Sequence, residues 1–185
     1  MPRLPQDPLE YQATLLLFYE EEIMGEALFA GLAQRFPAPQ PNRALQLLSQ
    51  MERCVADHVR PLLDEYGLCP RSDAELHGIG LLEAEQRSDS SWEDYLKHIV
   101  VDFPVFLDEF AALMRVAPEA DRPRLRVFDD HEVAAIAFAK RALRGDPDSA
   151  ILLTDFIAAY RPLSPPLQEE VAQSPNPAPA SPRAQ

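Results

Sequence analysis

Three glutamates occupy positions at which the surrounding sequence places the apolar side chains of a buried helix face. Glu22, Glu52 and Glu132 each stand within a run whose apolar residues recur every three or four positions. The first of these runs reads Leu15, Phe18, Glu22, Gly25, Phe29, Leu32 and Phe36. A carboxylate removed from water costs several kcal/mol unless it is paired, protonated or bound to a metal. These three residues are therefore the first candidates for chemistry.

A fourth acid is less well defined, because its run admits two helical registers. One register is wholly apolar and comprises Trp92, Leu96, Ile99, Phe103, Phe106, Phe110 and Leu113. The adjacent register turns Asp102 and Glu109 inward. We favour Asp102, because it precedes Glu132 by thirty residues, the same separation that divides Glu22 from Glu52. Glu109 is the alternative.

The matched spacing predicts that two helical hairpins bring four carboxylates to the same height in a bundle. Four converging carboxylates repel one another, so cations or several protons must accompany them. Two divalent metal ions meet this requirement, and hard oxygen ligands with imidazole suit iron or manganese. The sequence thus predicts an iron or manganese centre.

Proline, glycine and capping residues divide the chain into five helical runs that would position these acids. The runs cover approximately residues 8–36, 42–66, 91–115, 123–144 and 147–160, with kinks expected at Pro61 and Pro104. The long connection at 68–90 has room for at most one short helix, around 73–85. No alternating strand pattern is present. The predicted class is all-α, an antiparallel four-helix bundle with one long crossover and a short fifth helix.

The composition changes after Arg161. Residues 162–185 are rich in proline, alanine and serine and contain few large apolar groups, so they cannot offset the entropy lost on ordering. We expect a helical domain over residues 1–161 and a disordered tail over 162–185.

The pattern of acids resembles the ferritin-like superfamily of di-iron carboxylate proteins. The stretch EEEIMGEALFAGLAQRFP, followed by LQLLSQMERCVADH, is similar to the first helical hairpin of the aldehyde-deformylating oxygenases and their relatives. In that superfamily each hairpin supplies a Glu from one helix and Glu-x-x-His from the next. The resemblance covers roughly residues 8–144. It implies Glu22, Glu52, Glu132 and Asp102 as metal ligands.

The chain departs from the family pattern at the expected histidines. Val55 and Ala135 stand three residues after the second and third glutamates, and neither side chain binds a metal. His131, adjacent to Glu132, turns inward only if the helix rotates. His58 lies six residues after Glu52, about 120° around the helix from it. These two histidines are the candidates for a nitrogen ligand.

Two functions of different classes remain open. The first is a di-iron or di-manganese oxidase or oxygenase that acts on a small apolar substrate. Its pocket would be lined by Gly25, Phe29, Val55, Phe106 and Ala135. The second is a metal-free bundle that serves protein interaction or assembly, with a partner or a second copy on its exposed seams. Its acids would be protonated or would pair with arginines such as Arg53 or Arg126.

Composition excludes several other classes. The net charge of −13 and the pI near 4.6 argue against nucleic-acid and anionic membrane partners. No window reaches the roughly 20 apolar residues of a membrane helix, and the N-terminus has no apolar signal core, so we expect a soluble cytoplasmic protein. Cys54 and Cys69 imply no disulfide framework. No phosphate-binding glycine loop is present, so no nucleotide cofactor is expected.

Overall fold

The fold is that of a computed structural model, which describes residues 8–87 and 90–161. These residues form helices and connecting turns without a strand, which confirms the predicted all-α class. The predicted tail at 162–185 lies outside the described residues. The helices are α1 (Pro8–Arg35), α2 (Pro39–Tyr66), α3 (Asp73–Gln86), α4 (Trp92–Asp102), α5 (Pro104–Val116), α6 (Arg122–Leu143) and α7 (Ile151–Tyr160).

Helices α1 and α2 form a hairpin with a short link. The second helix begins at Pro39, earlier than the predicted Asn42, because proline fits a first helical turn whose N–H groups have no helical partner. The Asn42 side chain instead donates a hydrogen bond of 2.6 Å to the Ala33 carbonyl, near the end of α1. Helix α2 continues through Pro61 and ends at Gly67, whose φ of 64° is the left-handed conformation that glycine adopts readily.

The long connection contains one helix, α3, which agrees with the short helix predicted there. Ser72 and Glu75 form a capping box at its N-terminus. Helix α3 lies along α1, and the approach is close at Gly80, where a Cβ atom would overlap the Met24 carbonyl. This helix therefore covers one side of α1 and leaves the opposite side of α1 to the core.

The third predicted run is broken into two helices. Pro104 has no N–H to continue the helix, and the break falls at Phe103, between α4 and α5. The buried face continues across this break. In α4 it comprises Tyr95, Leu96 and Ile99, and in α5 it comprises Glu109, Phe110, Ala112 and Leu113. The wholly apolar register is therefore buried or half-buried along its whole length, whereas the adjacent register includes the exposed Asp102.

Helix α6 is anchored at its start by a carboxylate shared between two tyrosines. The hydroxyls of Tyr11 and Tyr66 donate to the same oxygen of Asp121, at 2.7 and 2.6 Å. These bonds attach α1 and α2 to the N-terminal end of α6. The core beside this anchor contains the packed rings of Phe18, Phe110 and Phe128.

The last helix is shorter than predicted. Helix α7 begins at Ile151, whereas the sequence indicated a start at residue 147 with Asp146 as its cap. The Asp146 carboxylate accepts hydrogen bonds from the Arg141 side chain and from the Asp148 N–H, and the turn that it begins, at 147–150, precedes the helix. Helix α7 packs against α2 and α6. Among the described helices, none combines the length and apolar character needed to cross a membrane.

Candidate metal centre

Three of the predicted glutamates converge in the interior, together with a histidine. Glu22 comes from α1, Glu52 from α2, and His131 and Glu132 from α6. We call these four residues the central cluster. One oxygen of Glu22, one of Glu52 and a ring nitrogen of His131 all lie within 4.8 Å of one another. The His131 Nε2 atom is 3.6 Å from Glu22 Oε2 and 3.6 Å from Glu132 Oε1.

The central cluster is buried without a cationic side chain to balance it. The residues are 4% (Glu22), 9% (Glu52), 6% (Glu132) and 3% (His131) exposed. Among residues 8–87 and 90–161, no lysine or arginine forms an ion pair with them, and Arg53 pairs with Glu26 and Asp73 instead. The arginine pairing that the metal-free alternative offered, with Arg53 or Arg126, is therefore not formed among the described residues, whereas protonation stays open.

Two carboxylate oxygens of the cluster have no hydrogen-bond partner among the described residues. They are Glu22 Oε2 and Glu132 Oε2. A buried polar atom without a partner costs about 1–3 kcal/mol, and more when it is charged. Such an atom in a native fold calls for an explanation, and a ligand or ion that it contacts is one. The unpartnered oxygens therefore point to a cation in this space.

The orientation of His131 presents a lone pair to the carboxylates. Its Nδ1 atom is 3.3 Å from the backbone carbonyl of Val127, an oxygen that only accepts, so Nδ1 carries the proton. Nε2 then has no proton and faces Glu22 and Glu132. Burial lowers the pKa of His131 to about 4, although backbone hydrogen bonds act in the opposite direction. A neutral imidazole held by its other nitrogen is the usual form of a metal-binding histidine.

The carboxyl groups of the cluster retain protons more strongly than ordinary glutamates do. Burial, followed by repulsion from Glu52, raises the pKa of both Glu22 and Glu132 well above the usual value. Burial also raises the pKa of Glu52 to about 7, although its hydrogen bond with Glu22 acts in the opposite direction. Without a metal, the cluster therefore holds protons at neutral pH. A divalent cation would displace them.

Gly25 makes room for one of these carboxylates. A Cβ atom at Gly25 would lie 2.7 Å from Glu52 Oε2, closer than side chains tolerate. A glycine within a helix costs roughly 1 kcal/mol relative to alanine, and here the missing side chain leaves space that Glu52 occupies. Gly25 thus acts by positioning Glu52.

Replacing Gly25 with alanine is expected to weaken metal binding by displacing the Glu52 carboxylate. Loss of the support for a metal ligand typically costs 10–100-fold in affinity, and we expect about tenfold here. Ferrous iron and manganese titrations of the variant measure this. Gly78→Ala is the matched control, because a Cβ atom at Gly78 meets nothing within 4 Å. Equal affinities for the two variants would contradict the role assigned to Gly25.

A cavity of about 350 Å³ opens beside the central cluster. All four cluster residues contribute to its lining, and its apolar wall includes Leu28, Phe29, Phe103, Phe106 and Phe110. Gly25, Phe29 and Phe106 were expected to line such a pocket. Val55 and Ala135 are buried but do not line it. This volume lies at the small end of ligand-binding cavities.

Asp102 lies outside the central cluster, which corrects the prediction from sequence. Its carboxylate is exposed and is 2.6 Å from Nδ1 of His98, on the outer part of the cavity lining. Asp102 is the last residue of α4 and lies beside the inward apolar row that runs through Ile99, Phe103 and Phe106. The spacing of thirty residues therefore matches in sequence but not in space.

The two remaining candidates are also separate from the cluster. Glu109 is buried in α5, and burial raises its pKa, but the residue does not line the cavity. His58 is half-buried on α2 and packs edge-on against Tyr160, with ring centroids 5.3 Å apart. Of the two candidate histidines, His131 is therefore the one that lies in the central cluster, and α4 and α5 contribute no residue to it.

Sequence reasoning did not anticipate how His131 and Glu132 reach one site. Neighbouring residues point about 100° apart on a helix, yet both are buried here, because α6 contacts α2, α4, α5 and α7 and has a wide inner face. The adjacent pair in FDDHEVAA was the available signal. Comparison with protein-family models, curated proteins and solved structures found no match to the chain.

Proposed function

We propose that this chain is a metal-dependent oxidase or oxygenase with a divergent ferritin-like fold, and that Glu22, Glu52, Glu132 and His131 bind its iron or manganese. The observation that supports this most is the buried group formed by carboxylate oxygens of Glu22 and Glu52 and an imidazole nitrogen of His131, without a basic side chain among them. Glu132 adjoins this group, with Oε1 3.6 Å from His131 Nε2. Carboxylate oxygens with one imidazole form a donor set suited to iron and manganese.

The distances and the charges of the cluster are compatible with this proposal. Metal–ligand distances of about 2.0–2.2 Å place two ligands of one ion up to about 4.4 Å apart. The donor atoms of Glu22, Glu52 and His131 span at most 4.8 Å, so small side-chain rotations bring them within reach. Three ionised carboxylates together carry three negative charges. The net charge of the site would therefore differ from zero by one, whether it holds one divalent ion or two. The di-metal centre implied by the resemblance would share these four residues between two ions.

The proposed architecture is the four-helix bundle with one long crossover. Helices α1, α2 and α6 would be three of its members, and the broken pair α4–α5 would be the fourth. Helix α3 would lie within the crossover. This arrangement is supported by the contacts of α6 with α2, α4 and α5, and of α1 with α2 and α5. In such bundles the metal ligands project inward from facing helices.

The protein residues would bind the metal and exclude water from the substrate. The metal would supply dioxygen activation at positions that protein ligands leave open, with electrons from an external reductant. Phe29, Phe106 and Phe110 would keep a small apolar substrate dry beside the cluster. His131 would remain neutral, because burial lowers its pKa to about 4, and its Nδ1–H would donate to the Val127 carbonyl. A homodimer, predicted from sequence, is compatible with this proposal.

The proposal is tested by loading the metal-free chain with ferrous iron under anaerobic conditions and then adding dioxygen. We expect stoichiometric iron binding and dioxygen consumption faster than that of ferrous iron in buffer. Glu132→Gln should lower both, whereas Glu109→Gln, a buried acid outside the cluster, should lower neither. If iron does not bind, or if the two variants behave alike, the metal-free bundle that serves interaction or assembly becomes the better account.

A further inference from the structure

The hydroxyl of Tyr95 is a polar group without a partner in the wall of the cavity. Tyr95 is 2% exposed and lines the cavity, and its hydroxyl forms no hydrogen bond with any described residue. Buried tyrosine hydroxyls usually have a hydrogen-bond partner. The Tyr95 hydroxyl is not among the fully enclosed unpartnered atoms of the described residues, so it reaches open space, where a molecule that enters the cavity can accept its hydrogen bond.

Neighbouring aromatic rings fix the position of Tyr95. Trp92 stacks on it, with ring centroids 6.3 Å apart and planes 21° from parallel, and Phe29 meets it edge-on at 6.4 Å. Burial raises the pKa of Tyr95, although the nearby charge of Arg87 acts in the opposite direction, so the phenol remains protonated and can donate. A donor held in this way fixes the orientation of a bound molecule rather than adapting to it.

The charges around the cavity disfavour an anionic ligand. Apart from the central cluster, the lining contains the acids Glu21, Glu83 and Asp102. Arg87 is the only lysine or arginine among the described lining residues, and its guanidinium pairs with Glu83 at 2.9 Å. In the metal-free chain, a carboxylate or phosphate would therefore find no unpaired lysine or arginine to bind it among the described lining residues.

We propose that the cavity takes an uncharged, largely apolar molecule that carries a hydrogen-bond acceptor, such as a ketone or an ester, and that Tyr95 donates to this acceptor. Tyr95 would be a specificity-determining residue, with Phe106 and Phe110 in contact with the apolar part of the molecule. The role of this molecule as a substrate rests on the proposed metal-dependent function. Its binding does not, because the cavity and Tyr95 are present without a metal.

Three probe molecules of similar shape test the apolar contact, the hydrogen bond and the exclusion of anions separately. They are alpha-tetralone, which carries a carbonyl acceptor, tetralin, which carries none, and tetralin carboxylate, which is an anion. Titration calorimetry on the metal-free full chain measures their affinities. A hydrogen bond to an uncharged group typically changes an affinity by about three- to tenfold. We expect alpha-tetralone to bind that much tighter than tetralin, and the carboxylate to bind weakest.

Tyr95→Phe tests the assigned donor, because it removes the hydroxyl and keeps the ring. The preference for alpha-tetralone over tetralin should disappear in this variant, while the tetralin affinity stays unchanged. Tyr19→Phe is the matched control, since Tyr19 is a buried tyrosine that does not line this cavity. Leu28→Phe narrows the cavity and should weaken both neutral probes, which localises them to this site.

The outcomes distinguish this proposal from the proposed function. Absence of binding by the neutral probes, an equal loss of both affinities in Tyr95→Phe, or a retained preference in that variant would each overturn the role of Tyr95. Tighter binding of the carboxylate than of the ketone would overturn the uncharged class. Retained ketone binding in a protein that takes up no iron would leave the ligand class standing and reject the oxidase.

Discussion

The double variant Glu22→Gln, Glu52→Gln is expected to lose high-affinity binding of iron and manganese. Glutamine keeps the shape of each side chain but removes the negative charges that would bind the cation. Loss of groups that merely support a metal ligand costs 10–100-fold in affinity, so removal of two ligands should cost at least about 100-fold. Anaerobic titration with ferrous iron, followed by metal analysis after desalting, measures the loss.

The control for this experiment must remove buried acid without touching the cluster. Glu109→Gln meets that need, because Glu109 is buried in α5 but is not among the residues that line the cavity. It should bind metal as the unmodified chain does. Unchanged metal content in the double variant would contradict the proposed ligand set, even if the protein binds metal elsewhere.

The second large effect is on stability, and its sign depends on pH and on the metal. The pKa of Glu52 is about 7, and those of Glu22 and Glu132 are raised well above the ordinary value. Between the unfolded pKa near 4.5 and these folded values, the native state holds more protons than the unfolded chain. The free energy of unfolding of the metal-free protein therefore falls as pH rises through this window, on the order of 3 kcal/mol for Glu52 alone.

Unfolding by denaturant at pH 6 and at pH 8 checks this sign. The metal-free protein should be less stable at pH 8, and Glu132→Gln should restore stability there more than at pH 6. Glu119→Gln, at an exposed position, should change neither value. Bound manganese should reverse the trend, because metal replaces the protons that are lost. Greater stability of the metal-free chain at pH 8 than at pH 6 would show that these carboxyl groups are not neutralised by protons.

Groups with lowered pKa act in a different window. Hydrogen bonds and charge from Arg71 lower the pKa of Glu20 despite the cost of burial, and the Arg141 side chain lowers that of Asp146. Their contributions to stability are present above the unfolded pKa and are lost as pH falls through the folded values. These two acids therefore affect acid unfolding below about pH 4.5. The lowered pKa of His131, about 4, has the opposite sign to the raised carboxyl groups, because the unfolded imidazole still loses its proton between pH 6 and pH 8, but it is one group against several.

The acids of unbroken helices were predictable from sequence, because their helical period continues on both sides. Glu22, Glu52 and Glu132 each interrupt an apolar seam at a fixed step, and a seam position on a long helix is a buried position. Asp102 failed because its run offered two registers, and the matched spacing favoured the wrong one. The wholly apolar register packs inward across the break at Phe103, and Asp102 lies outside it.

His131 and Tyr95 show which part of the site sequence does not reveal. His131 is buried only because several helices enclose α6, which is a property of their packing rather than of its own sequence. The free hydroxyl of Tyr95 depends on what its neighbours leave unoccupied, and a sequence pattern carries no such information. Likewise, only the tertiary structure shows that Arg53 pairs with Glu26 and Asp73 rather than with the buried glutamates of the central cluster.

Metal content of the full chain, purified without a histidine tag, tests the central claim most directly. Plasma mass spectrometry on the isolated protein, and again after anaerobic incubation with ferrous iron and desalting, gives the number of ions per chain. The account predicts at least one equivalent of iron or manganese, and two for the di-metal form. Less than a tenth of an equivalent of either metal after ferrous incubation would contradict it, because the three carboxylates would then be neutralised by protons alone.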